Sequence, residues 1–160
     1  MDDKLLKLIE GNARLNSSEI AVMLGSTEAE VAAAIEEYES KGVIRGYNAL
    51  IDWDKTDREF VTAHIELKVT PQRDSGFDQI AEQILKFVEV KSVYLMSGGF
   101  DLAVTVEGRT FKDVALFVAE RLAPMDSVIS TATHFVLRKY KDNGVIFNDK
   151  QSDERRINWL

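Results

Sequence analysis

The second half of the chain alternates between strand-like and helix-like patterns, and their order is the feature that most restricts the fold. Residues 61–69 alternate apolar and polar side chains, as a strand with one buried face does. A helical stripe with a 3.6-residue period follows at 77–88, and Asp74 is expected to cap that helix. A strand followed closely by an amphipathic helix predicts a sheet with helices packed on it.

Four further elements complete the order. Residues 90–97 and 100–107 are strand-like runs around two glycines, which is a hairpin signal. The capping pair Thr110–Asp113 begins a second helix, and residues 127–140 form a long final strand. The resulting order β-α-β-β-α-β predicts a ferredoxin-like unit, with two helices on one face of a four-stranded antiparallel sheet.

The final strand is expected to carry apolar side chains on both faces. One predicted face contains Val128, Ala132 and Val136, and the other contains Ile129, Phe135 and Leu137. Because helices cover only one face of such a sheet, the helix-free face is expected to be buried against a second subunit.

The first half of the chain reads as three short amphipathic helices, at residues 4–10, 17–24 and 27–41. Asn16 and Thr27 each precede a glutamate by three residues, which predicts a capping box at the start of the second and third helices. Two helices joined by a tight glycine-containing turn, after a first helix, make a helix-turn-helix.

The residues after the third helix are expected to form a wing. Residues 42–53 contain two short β-like runs around Gly46. The predicted class is therefore α+β, with an N-terminal winged helix-turn-helix followed by a ferredoxin-like domain. The predicted division of the chain is 1–51 for the winged helix-turn-helix, 52–59 for a highly charged linker, 60–141 for the ferredoxin-like domain, and 142–160 for a polar tail.

Composition and missing motifs exclude several classes of protein. The chain has no cysteine, so it can form neither disulfides nor a cysteine-based zinc site. It has no signal-peptide pattern and no apolar run long enough to span a membrane, which predicts a cytoplasmic protein without membrane contact. No P-loop, G-x-S-x-G or H-E-x-x-H motif is present, so we expect no enzyme activity, no cofactor and no metal.

Three segments resemble the leucine-responsive/asparagine-regulator (Lrp/AsnC) family, also called feast/famine regulators. They are NARLNSSEIAVMLG at 12–25, KGVIRGYNALID at 41–52 and VYLMSGGFDLAVTVEG at 93–108. The resemblance extends from about residue 4 to residue 140, in the domain order of that family. It implies that residues 1–51 bind DNA and that residues 60–141 are an effector-binding and oligomerisation domain, with dimers formed through the sheets. It also implies further assembly to octamers, with an amino acid bound between dimers.

The charge of the third helix opposes the expected DNA contact. Residues 27–41 contain five glutamates and one lysine, and the positions that carry bases in the family hold Ala32, Ala33, Ala34, Glu36 and Glu37. DNA affinity depends largely on phosphate contacts by Lys and Arg, and each lost contact removes about 0.9 from the log–log salt slope. The helix therefore either contacts DNA weakly or only covers a small three-helix core.

Candidate DNA-contacting residues lie on the turn, the third helix, the first helix and the wing. They are Ser26, Thr27, Ala33, Lys41, Arg45, Lys4 and Arg14. The bases outside the third helix could hold the phosphate backbone, and several weak DNA-binding units on one oligomer gain from effective concentration.

Candidate effector-binding residues cluster at the predicted hairpin. They are Met96, Ser97, Gly98, Gly99, Phe100 and Asp101, with Thr131 and Thr133 on the last strand as weaker candidates. The hairpin could be only a turn. Alternatively, backbone N–H groups at the glycines hold an α-carboxylate, while Asp101 faces an α-ammonium or helps to build the pocket.

The two histidines, His64 and His134, fall on strands that are neighbours in a ferredoxin-like sheet, so their rings could lie close together. Two ligands alone make a poor metal site, so packing at an interface is the expected role.

Two functions remain open. The first is an amino-acid-responsive transcriptional regulator that binds double-stranded DNA as an oligomer. The second is a metabolite-sensing oligomer whose acidic helical domain contacts a protein partner, with weak or no DNA binding.

Overall fold

The computed structural model describes residues 2–71 and 76–147. The chain divides after Ile51 into two compact units. Among the described residues, no helix is both long and apolar enough to cross a membrane. The four-part division of the chain given above stays a prediction.

The first unit consists of three helices, α1 (Asp2–Gly11), α2 (Ser17–Leu24) and α3 (Glu28–Ser40). Both predicted capping boxes are confirmed: each cap side chain accepts a backbone N–H three residues later, and the glutamate there accepts the cap N–H in return. Gly25 ends α2 in the left-handed region, with φ of 66°. The helices enclose a small buried core made of Leu5, Ile9, Ile20, Ala21 and Val31.

The predicted wing strands are absent from the described residues 42–53, so that part of the prediction is wrong. The backbone after α3 instead bonds back to the helix end: the N–H groups of Val43 and Ile44 donate to the Tyr38 carbonyl at 2.8 and 3.1 Å. The chain then has no regular secondary structure until a 3₁₀ turn at Trp53–Lys55. A hairpin requires hydrogen bonds between two strands. Here the N–H groups of the first predicted run already donate to α3.

The second unit confirms the ferredoxin-like topology. Its strands are β1 (Val61–Val69), β2 (Val90–Leu95), β3 (Leu102–Gly108) and β4 (Val128–Phe135). They form one antiparallel sheet in the order β2-β3-β1-β4. Alternate residues of β1 are buried, as its pattern predicted.

Helices α4 (Asp78–Ile84) and α5 (Phe111–Phe117) supply the rest of the core, and a π-helical turn, Val118–Leu122, continues α5. The core contains Ala63, Ile65, Leu67, Val69, Ile80, Ile84, Leu102, Val104, Val106, Val114, Phe117, Val118 and Leu122. Capping of α5 by Thr110 is confirmed.

Helix α4 is shorter than predicted, because the chain tightens after Ile84. The Phe87 N–H donates to the Ile84 carbonyl, and the Phe87 ring meets Phe117 edge-on at 5.3 Å. Phe87 therefore packs against the core, whereas Leu85 and Val88, which were assigned to the apolar stripe, are exposed. The predicted cap Asp74 lies outside the described residues.

A β-bulge at the start of β4 contradicts the predicted faces of this strand. Val128 pairs with Val69, and Ser130 pairs with the adjacent residue Lys68. Ile129, which lies between them, is therefore an additional residue in β4. The additional residue shifts the alternation by one position. Val128 and Phe135 consequently both pack against the core, and Ile129 is exposed. The predictions that Val128 shares a face with Ala132, and Ile129 with Phe135, are wrong.

The helix-free face of the sheet is consequently polar rather than apolar. Directly paired residues share a face of a sheet, and the register places on this face Thr62, His64, Glu66, Lys68, Ser92, Tyr94, Ala103, Thr105, Glu107, Ser130, Ala132 and His134. Val128 and Phe135 are on the opposite, helix-covered face, so of the paired apolar residues of β4 used to infer a buried second face only Ala132 is here.

Strand β4 ends at Phe135, earlier than predicted, and a separate hairpin follows. Its strands are β5 (Lys141–Asp142) and β6 (Val145–Ile146). The two residues between these strands, Asn143 and Gly144, have φ angles of 43° and 82°. Two successive positive φ angles fit the type I′ turn of a hairpin with a two-residue loop.

Candidate DNA and effector sites

Helix α3 exposes an acidic surface. Its exposed side chains include Glu28, Ala29, Glu30, Ala32, Ala33, Glu36, Glu37 and Glu39. Val31 is fully buried and fixes which side of the helix faces the core. The free side of the helix therefore carries carboxylates and methyl groups.

Several of these acidic groups have local partners. Glu37 accepts a hydrogen bond from the Lys41 ammonium, and this contact raises the pKa of Lys41 above its ordinary value. Glu39 accepts the Tyr47 hydroxyl at 2.7 Å, which raises the pKa of Tyr47. The only base of the α3 segment is therefore paired with an acid of the same helix.

Ser26 and Thr27, both predicted to contact DNA, are engaged in helix capping. The Ser26 hydroxyl donates to Glu30 Oε2 at 2.7 Å, and the Thr27 N–H donates to the same oxygen at 3.1 Å. The Thr27 hydroxyl accepts the Glu30 N–H at 3.3 Å. The hydrogen bond from Ser26, followed by those from Thr27, lowers the pKa of Glu30.

Three of the predicted DNA-contacting bases remain available. Within residues 2–71 and 76–147, no carboxylate lies within ion-pair distance of Lys4, Arg14 or Arg45. All three side chains are exposed, whereas Lys7 pairs with Asp3 at 2.8 Å. Lys4 is on α1, Arg14 precedes α2 and Arg45 follows α3, so the available bases surround the acidic helix in sequence.

The predicted effector residues 96–101 form a six-residue loop between β2 and β3, longer than the two-glycine turn in the prediction. Ser97, Gly98 and Gly99 are exposed, and Gly98 has a φ of 142° that few other residues adopt. Met96 is also exposed, and Phe100 is half-buried. The middle of the loop therefore presents backbone to solvent.

Asp101 attaches this loop to the sheet. Its Oδ2 accepts the Val69 N–H at 2.8 Å, its own N–H donates to the Leu67 carbonyl at 2.9 Å, and its carbonyl accepts the Met96 N–H at 2.8 Å. Of the two roles considered for Asp101, the geometry favours building the loop.

Thr131 and Thr133 lie on the helix side of the sheet. They pair with the buried residues Leu67 and Ile65, and both threonines are half-buried. Asp101 contacts the same residue, Leu67, so Thr131 is near the loop end of the sheet and Thr133 is two residues farther along.

His64 and His134 are directly opposite each other on β1 and β4, as the sheet order predicted. His64 Nδ1 lies 3.1 Å from Thr105 Oγ1, and His134 Nε2 lies 3.4 Å from Glu66 Oε1. No cluster of three or more His, Cys, Asp or Glu suited to a metal occurs in the described parts of the chain.

One cluster was missed in the segment assigned as linker. The Arg58 guanidinium lies 4.6 Å from the centre of the Trp53 ring and 5.3 Å from that of Phe60. The two rings meet edge-on at 6.1 Å. A tryptophan and a phenylalanine within a charged stretch were the sequence signal for this cluster.

Comparisons with protein families agree with this architecture. Residues 62–146 match the family described as Lrp/AsnC ligand binding domain, and residues 2–45 match a winged helix-turn-helix DNA-binding family. A relative in Bacillus subtilis strain 168, described as the uncharacterized HTH-type transcriptional regulator YugG, is 46% identical over 157 residues. That alignment covers 98% of this chain and 95% of the relative.

Solved structures share the fold. PH0061 superposes with a TM-score of 0.77 at 24% identity, covering 91% of this chain and 95% of that one. The regulator NMB0573 from Neisseria meningitidis, solved as a complex with L-Met, superposes with a TM-score of 0.71 at 22% identity. It covers 88% of this chain and 90% of its own.

Proposed function

Because this chain belongs to the Lrp/AsnC family of transcriptional regulators, we propose that it binds double-stranded DNA through residues 1–51 and an amino acid through its second unit. The chain is a regulator and not an enzyme, as its relatives are described. The observation that carries the proposal is one chain holding both a helix-turn-helix and a Lrp/AsnC ligand-binding domain. DNA as the target implies action in the cytoplasm.

The proposed DNA contacts come mainly from bases outside α3. Lys4, Arg14 and Arg45 have no described carboxylate partner, so each can approach a phosphate without first breaking an ion pair. Lys41 contributes less because Glu37 holds it. The proposed roles of Ser26 and Thr27 are to position the start of α3 through its cap, with Ala33 on the exposed face.

A salt titration tests this proposal. Affinity for random-sequence duplexes and for duplexes from upstream genomic regions is measured across salt concentrations. A steep fall of log affinity with log salt supports DNA binding. Arg45→Gln and Arg14→Gln are each expected to reduce the slope by about 0.9, whereas Lys112→Gln in the second unit leaves it unchanged. Absence of binding to every duplex at low salt contradicts the proposal.

The proposed effector site is the loop 96–101. Its exposed glycines can donate backbone N–H groups to an α-carboxylate, and Asp101 holds the loop in place. Thr131 and Thr133 are the weaker candidate contacts. The N. meningitidis regulator with the same fold was solved with L-Met, which supports an amino acid as the ligand class.

Thermal unfolding with each free amino acid in turn tests the ligand. A compound that binds only the folded chain must raise the unfolding midpoint. Gly98→Val is expected to abolish the rise for the true effector, because a β-branched side chain opposes the φ of 142°. Asp126→Ala, at an exposed residue outside the loop, serves as the control. If a bound effector changes the affinity of the chain for DNA by some factor, bound DNA must change the affinity of the chain for the effector by the same factor.

We also propose self-association into dimers, and of dimers into octamers. Small residues on the helix-free sheet face, including Ala103 and Ala132, permit close approach of a second sheet. This support replaces the apolar-face argument, which the structure contradicts. Sedimentation across protein concentrations measures the assembly, and a monomer at all concentrations would refute it.

A second function is favoured by the acidic surface of α3. If no duplex binds at low salt, contact of this surface with a basic protein becomes the better proposal, because Glu28 and Glu36 are exposed without a described partner.

A further inference from the structure

A groove of about 480 Å³ opens in the second unit, between residues 53–61 and residues 109–111. The backbone pairing of Val61 with Gly108 brings these two segments together. The groove lies at the Val61 end of β1, whereas the loop 96–101 contacts Leu67 and Val69 at the other end. Six residues of strand separate the two places, about 20 Å.

One side of the groove holds an arginine in a fixed position. Arg58 lies over both Trp53 and Phe60, at 4.6 and 5.3 Å from the ring centres. A guanidinium stacked on rings keeps its edge free, and its planar N–H groups match the two oxygens of a carboxylate. Because the rings already restrict the side chain, binding an anion costs less conformational entropy than for a free arginine.

The other side of the groove carries a second arginine. Arg109 is exposed and lies two residues before the start of α5. Neither Arg58 nor Arg109 has a carboxylate within ion-pair distance among residues 2–71 and 76–147. Two guanidinium groups without anionic partners therefore line the same groove.

The groove also offers flat apolar surfaces. The Phe111 ring stacks edge-on against Phe135 at 4.8 Å and still has 54% of its surface exposed. Trp53 lines the groove from the opposite segment. An aromatic ring between them would gain stacking contacts in addition to apolar burial.

We propose that this groove binds a small aromatic carboxylate, with its two oxygens at Arg58 and Arg109 and its ring beside Trp53 and Phe111. Asp54 and Glu59 also line the groove, so its formal charge is balanced and it has no net attraction for a polyanion such as the DNA backbone. These two acids would accept an ammonium group if the ligand carries one. The proposal stands independently of DNA binding and of the loop site.

Trp53 can report the binding directly. The chain has two tryptophans, so Trp159→Phe leaves Trp53 as the only one. The fluorescence of this variant is titrated with 3-phenylpropionate, L-phenylalanine and phenethylamine, without DNA. The first two are expected to give saturable changes below about 10 mM, the weakest affinity expected for ligands of this size. An amino acid bound only at the loop shifts the thermal midpoint and leaves Trp53 fluorescence unchanged.

Matched variants locate the site. Arg109→Gln is expected to weaken binding of 3-phenylpropionate about ten- to a hundredfold, the range for a lost charge-assisted hydrogen bond. Lys112→Gln removes the same charge three residues later, outside the groove lining, and is expected to leave affinity unchanged. The proposal is overturned if 3-phenylpropionate gives no saturable change, if phenethylamine binds more tightly than it does, or if both variants behave alike.

Discussion

Helix α3 and the loop 96–101 differ in which atoms are available to a ligand. Along the middle of α3 the backbone is used within the helix, so binding there depends on side chains, and those are carboxylates and methyl groups. In the loop the Asp101 side chain is held by the Val69 N–H, and the backbone at Gly98 and Gly99 is exposed. The comparison teaches that a site built from backbone depends on loop geometry, whereas a site built from side chains depends on charge.

Removing the loop's attachment should have the largest effect on stability. Asp101→Ala leaves the Val69 N–H without its acceptor, and a hydrogen bond to a charged group contributes about 2 kcal/mol. Urea unfolding is expected to show this loss, together with loss of effector binding. Asp126→Ala, at an exposed aspartate outside the sheet, is the control. Equal stability of the two variants would show that Asp101 does not hold the loop.

Charge on α3 is tested by two glutamates that are adjacent in sequence. Glu36→Gln and Glu37→Gln remove one negative charge each, but only the second also releases Lys41. If Lys41 then completes one phosphate contact, Glu37→Gln should bind random duplex about eightfold more tightly than Glu36→Gln at 0.1 M salt, from a slope of about 0.9 per contact. Equal affinities would indicate that Lys41 does not face DNA.

The start of α3 should depend on pH through Glu30. Its pKa is lowered below the ordinary 4.5 by hydrogen bonds from Ser26 and Thr27, so the folded chain favours the ionised form. The resulting stability is complete above pH 4.5 and is lost as pH falls through the lowered pKa. The thermal midpoint of the chain should exceed that of Glu30→Gln at neutral pH, and the difference should shrink in acid. A difference that grows in acid would reverse the assigned sign.

The smallest effect concerns the segment after α3. Tyr47→Phe removes the hydroxyl bound to Glu39 and is expected to cost under about 0.5 kcal/mol, because the ring is about half exposed. The raised pKa of Tyr47 places the loss of this contribution above pH 10.0, its ordinary value. Tyr140→Phe, whose hydroxyl has no described hydrogen bond, is the control in urea unfolding. A cost equal to that of the control would show that the contact contributes nothing.

Local signals predicted much of the backbone. The capping pairs at Asn16, Thr27 and Thr110 each depend on residues three apart, and all three were confirmed. The strand and helix order followed from periodicity alone. The lengths of α4 and β4 were wrong because they depend on distant partners: Phe87 turns in to meet Phe117, and β4 follows a bulge against β1.

The candidate sites were likewise predicted from the sequence only where the signal was local. The location of the loop 96–101 was visible in its glycines, but the attachment of Asp101 to Val69 joins residues 32 positions apart. The cluster of Arg58 with Trp53 and Phe60 was missed because charged composition alone marked that segment as a linker.

By itself the sequence determined the two modules, their order and the acidity of α3, since periodicity, caps and charge act over a few residues. The tertiary structure alone decided which sheet face is polar. It also decided which arginines share a groove. Those outcomes depend on contacts between residues far apart in the chain, and a single bulged residue at Ile129 was enough to reverse the faces expected for Val128 and Ile129.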